Sequence, residues 1–166
     1  MTEISRAQIE ILIELMDSAF DGDEWDSFLG NLRSTQPDDW DWIPDGGSRT
    51  IRQIVRHVGT SRIMYDNHAF GNAKLTYDDL ADEENSSTAD LASAIEWLRE
   101  GHLKLRSSVA SLSDSDLDKE SMMNWGEMKN IRYVIAIMIH HDVYHAGEIN
   151  MLRSLRSRDD RWEYAK

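Results

Sequence analysis

The stretch Ile139-His140-His141-Asp142-Val143-Tyr144-His145-Ala146-Gly147-Glu148-Ile149 lies inside a run with helical periodicity. Val134, Met138, His141, His145, Ile149, Leu152 and Leu155 recur at three- and four-residue steps, so they share one stripe of a helix over residues 130–157. That stripe is apolar except for its two imidazoles. Polar rings turned toward a core need partners, either hydrogen-bonding groups or a metal ion. His141 and His145, one turn apart, can grip the same ion and leave further ligands to come from elsewhere.

Working outward, three more segments read as long helices and nothing reads as strand. The first covers residues 5–20, with Ile9, Leu12, Ile13, Leu15, Met16 and Phe20 giving a broad apolar face before Asp21-Gly22-Asp23 breaks it. A short amphipathic piece follows over residues 25–32. Residues 34–48 hold both prolines and the Gly46-Gly47 pair and read as loop, with Trp40 and Trp42 as hydrophobic anchors onto the bundle. The second long helix starts near Ser48 or Thr50, either of which can cap it, and runs to Phe70. Residues 74–87 are acidic and read as a solvated connector. Thr88 is the expected cap of a third helix reaching Leu112, and residues 113–128 read as loop. Four amphipathic helices without strands predict an all-α four-helix bundle with long connections, one domain over residues 1–166.

Composition narrows the function. The chain has no cysteine, which excludes disulfides, thiolate ligands and a cysteine nucleophile. A formal net charge of −13 argues against a nucleic-acid partner. Arg153, Arg156, Arg158 and Arg161, set among Asp159 and Asp160, read as an exposed, salt-bridged helix end. No apolar run approaches the roughly 20 residues that span a bilayer, and the first residues lack a signal-peptide pattern. A cytoplasmic protein without membrane contact is the expectation.

There are six histidines. His57 lies at the edge of the second helix's apolar stripe, beside Val58 and three residues after Ile54. Alone it reads as a hydrogen-bonded core residue; with His141 and His145 it completes a three-imidazole site with an open position. Structural zinc sites usually close with a fourth protein ligand, so an open position favours chemistry. Glu148 shares the face of His141 and His145. It is a candidate catalytic base, a direct ligand or an orienting partner, and equally a glutamate ion-paired with Arg52 or Arg56. His140 points away from the stripe. His68 reads as a surface residue near a pocket mouth, and His102 as structural, without a partner at helical spacing. Ala146 and Gly147 would admit a neighbouring helix at close range. Trp42, Tyr65 and Met138 are the expected lining of an accessible pocket. No phosphate loop, nucleophile elbow or dinucleotide fingerprint occurs.

Three segments carry a family resemblance: Ser48-Arg49-Thr50-Ile51-Arg52-Gln53-Ile54-Val55-Arg56-His57-Val58-Gly59, His141-Asp142-Val143-Tyr144-His145-Ala146-Gly147-Glu148-Ile149, and Ala19-Phe20-Asp21-Gly22. They resemble the DinB-like (damage-inducible, YfiT-like) bundle proteins, with residues 74–87 the least matched part. The resemblance implies a divalent metal, usually zinc or nickel, held by His57, His141 and His145. It also implies homodimers, and relatives that are transferases or isomerases using a low-molecular-weight thiol. Two readings follow: a metal-dependent enzyme of transferase or hydrolase type acting on a small-molecule substrate, or a non-catalytic stress-associated bundle whose metal is structural or absent. An anionic thiol would need a local basic patch such as Arg52, Arg56 or Arg62.

Overall fold

The computed structural model describes residues 5–157. Four long helices dominate it: α1 (Ala7–Asp21), α3 (Ile51–Phe70), α5 (Leu91–Ala110) and α6 (Ile131–Ser157), with short α2 (Phe28–Leu32) and α4 (Ala81–Ser87) between them. α3 packs against α5 and α6, and α1 closes the ring by packing against the same two helices. The architecture is a four-helix bundle.

Local chemistry starts the helices, and tertiary contacts complete them. Thr50 and Gln53 form a reciprocal capping box at α3. Asp90, not Thr88, caps α5 by accepting the Ser93 N–H. Thr88 instead donates its hydroxyl to the Glu84 carbonyl oxygen. α1 has no cap in its own sequence. Its Gln8 and Ile9 N–H groups donate to the Asp114 carboxylate, more than a hundred residues away.

The core forms two apolar clusters. One gathers Phe20, Phe28, Leu32, Ile54, Val58, Leu98 and Ile149; the other gathers Ile9, Met16, Leu105, Val109, Ile135 and Met138. α1, α5 and α6 contribute buried residues to both, while α3 packs its partly buried Tyr65, Ala69 and Phe70 against the second. At the changeover each long helix carries a polar residue: Asp17, Arg62, His102 and Asp142. These four form one hydrogen-bonded chain. His102 Nε2 meets Asp17 at 2.9 Å, Arg62 donates to His102 Nδ1 at 3.1 Å, and Arg62 donates to Asp142 at 2.5 Å. The Arg62 guanidinium also lies 4.2 Å from the Phe20 ring centroid.

Several sequence expectations need correction. Residues 113–128 are not all loop: β1 (Glu120–Met122) pairs antiparallel with β2 (Met128–Asn130), with Ser121 opposite Lys129. Gly126 takes φ +85° in the turn, a left-handed backbone that glycine adopts without strain. The segment read as a solvated connector holds α4 and buries Leu80 and Glu84. Leu15 and Leu155 are about half exposed, outside the core. Arg153 is buried, donating to the Asn31 carbonyl oxygen at 2.8 Å, because α2 packs over that end of α6. Arg158, Asp159, Asp160 and Arg161 lie outside the described residues. Among the described residues no helix is long and apolar enough to cross a membrane.

One contact governs how closely α3 and α5 approach. A Cβ on Gly59 would sit 2.1 Å from the Trp97 ring, so this crossing requires glycine. Gly147 has open space where its Cβ would be, so among the described residues no helix packs closely against it.

Candidate metal centre

α3 and α6 lie side by side, and their facing edges bring His57, His141 and His145 together. Ile54 and Val58 on α3, and Met138 and Ile149 on α6, are buried around them and set the depth of both helices. His141 Nε2 lies 3.0 Å from His57 Nε2 and 3.2 Å from His145 Nε2. His57 is the exposed member, His141 half-buried and His145 buried.

These two spacings fit one ion, and the three ligand atoms all lie within 4.8 Å of one another. Imidazole nitrogens bound to a common metal at about 2.0–2.1 Å, with angles between octahedral and tetrahedral values, stand about 2.9–3.4 Å apart. The tautomers fit as well. His145 Nδ1 is 2.5 Å from Glu148 Oε2, so its proton sits on Nδ1 and its Nε2 lone pair faces the other two rings. Burial, reinforced by the neighbouring His145 and His57, holds His141 down to about 3. Burial, then the neighbouring His145 ring, lowers His57 too. Rings that resist protonation offer lone pairs at neutral pH, as metal ligation requires. The His141 Nδ1 is buried without a hydrogen-bond partner among the described residues.

Glu148 does not pair with Arg52 or Arg56. Its Oε2 meets His145, and its Oε1 stands 3.7 Å from an Arg49 guanidinium nitrogen. The three arginines named from sequence as a basic patch are all engaged elsewhere. Arg62 is fully buried on Asp142. Arg56 is bound by Glu84 and Asn85. Arg52 reaches Asp41 and the Ala89 carbonyl oxygen. Arg49 lies ahead of the Thr50 cap, where no periodicity assigns it a face.

The remaining histidines separate cleanly. His140 is exposed. His68 is buried rather than superficial, its ring nitrogens 3.2 Å and 3.0 Å from the Met122 and Leu75 carbonyl oxygens, because β1 and the residue 71–80 loop fold over it. His102 is structural, and its acidic partner is Asp17 on another helix. The cleft beside His57 has a volume of about 540 Å³ and is walled by Arg49, Gln53, Arg56, Thr60, Tyr77 and Glu84, among others. Neither Trp42, Tyr65 nor Met138 lines it; Met138 belongs to the core. A second cleft of about 350 Å³ carries Tyr144 and Glu148 and shares Ser48, Arg49 and Ile54 with the first.

A helical bundle with a three-histidine cluster between two of its helices defines the class, and comparison with known proteins agrees. The chain belongs to the DinB superfamily, whose sequence profile matches residues 22–149. Its fold is similar to that of YfiT from Bacillus subtilis, described as a probable metal-dependent hydrolase with an unusual four-helix bundle topology. The two share 20% identity and superpose with a TM-score of 0.67, over 92% of this chain and 90% of that one. No curated protein matches the chain.

Proposed function

We propose that this chain is a metal-dependent enzyme of hydrolase type, with one zinc or nickel ion held by His57, His141 and His145. The observation that carries the reading is the convergence of three Nε2 atoms beside an open cleft. Three protein ligands with a free position distinguish catalytic from closed structural zinc sites. When bound, such an ion supplies a Lewis acid and lowers the pKa of a coordinated water. The protein's own share is positional. Glu148 fixes the tautomer of His145, and the Arg62–Asp142 pair fixes the depth of His141. Glu148 is therefore a positioning residue in this reading, not the base that the sequence allowed. YfiT, described as a probable hydrolase, supports the same reaction class. The thiol-dependent alternative rests on the family alone.

The test is elemental analysis of protein purified from zinc- and nickel-supplemented cultures, then assay against a panel of small esters, amides and lactones. The reading expects about one equivalent of metal per chain and a hydrolysis that chelation and His57→Ala both abolish. Metal that raises only the melting temperature would leave a structural ion, and no metal at all would leave the three rings as packing.

A further inference from the structure

Arg49 stands on the ridge between the two clefts, with His57 on the wall of one and Glu148 on the wall of the other. Its side chain is 57% exposed, and its polar contact is Glu148 at 3.7 Å, longer than a hydrogen bond. Arg52, Arg56 and Arg62 spend their donors on protein acceptors. Arg49 thus keeps its guanidinium fork for a ligand at the edge of the histidine cluster.

We propose that Arg49 is a specificity residue that binds a carboxylate of the substrate while the reacting group lies over the three histidines. This deepens the metal-enzyme reading and rests on it. A guanidinium pairs with a carboxylate through two parallel N–H···O bonds, which fixes orientation as well as charge. A singly charged group suits the site better than a dianion. One arginine facing the clefts makes no hydrogen bond among the described residues, Glu148 stands 3.7 Å from it and Glu84 lines the same cleft, and the whole chain carries a net charge of −13.

The test uses zinc-loaded full-length protein whose metal content has been measured first. Two chelating probes are titrated by calorimetry at low salt: succinic acid monohydroxamate, which carries a carboxylate, and its neutral methyl ester. The wild type is expected to bind the carboxylate probe about tenfold more tightly than the ester, the scale of one well-placed charged pair. Arg49→Met is expected to erase that preference with ester affinity and zinc content unchanged. Arg99→Met, which removes a surface partner of Asp21, keeps the preference. Equal affinities in the wild type, binding of neither probe, or a preference that survives Arg49→Met would overturn the proposal while leaving the metal reading intact. A protein that takes up no zinc overturns both.

Discussion

Arg62 and Asp142 form an ion pair with no exposed side-chain surface, bridging α3 and α6 at 2.5 Å. Arg62 lies five residues after His57, and Asp142 directly follows His141. The pair therefore sets the register of the two helices that carry the histidine cluster. Burying two charges has a desolvation cost that their attraction only partly offsets, so the pair is better understood as a specifier of register than as a source of stability.

Removing one partner exposes that cost. Asp142→Ala is expected to destabilise the fold by about 3–5 kcal/mol, because Arg62 is left buried and uncompensated. The double variant Arg62→Met with Asp142→Leu should lose much less stability. Urea unfolding of the singles and the double completes the cycle, and equal losses in single and double variants would contradict the register role.

The histidines make separable predictions for metal content. His57→Ala and His145→Ala should each remove most of the bound metal, and His102→Ala should leave it unchanged. Glu148→Gln should weaken metal affinity by about 10–100-fold, the range for partners that orient a ligand ring. Elemental mass spectrometry and competition with a chromophoric chelator measure both. Equal retention in His57→Ala, His145→Ala and His102→Ala would sink the ligand set.

His102 gives the fold an acid-sensitive point. Burial first, then the Arg62 charge, lowers it from 6.5 to about 4, against the opposing pull of Asp17. A histidine that is harder to protonate when folded takes up protons on unfolding between these two values. Stability is therefore full above about pH 6.5 and falls as pH drops toward 4, by on the order of 3 kcal/mol. His102→Gln should make that slope shallower in urea midpoints measured across the same range, leaving the share of His141, which burial holds down to about 3. An unchanged slope would remove His102 as its cause.

Two glycines in helices should respond to alanine with opposite signs. Gly59→Ala drives a methyl into Trp97 and is expected to destabilise by about 1–3 kcal/mol. Gly147→Ala meets open space and gains helix propensity, for a stabilisation of about 1 kcal/mol without loss of metal. Thermal melts of the two variants decide it, and a stabilising Gly59→Ala would show that the α3–α5 crossing can relax.

Much of this protein was legible along the chain. Periodicity placed all four long helices, because amphipathic spacing is a local property. The i, i+4 pair of His141 and His145, with His57 to complete it, marked the cluster that the structure brings together. Other features depended on contacts between distant segments. α1 is capped by Asp114, Arg153 is buried by α2, and His68 is enclosed by β1 and the loop beside it. The ion pair across the core and the choice of Arg49 over Arg52, Arg56 and Arg62 are of the same kind. Charge alone cannot tell a buried arginine from one facing a cleft, since that depends on which acceptors the tertiary fold brings within reach. Helix identity and the histidine spacing belonged to the sequence by itself, and only the packed bundle decided which polar groups were spent on one another and which were left facing the clefts.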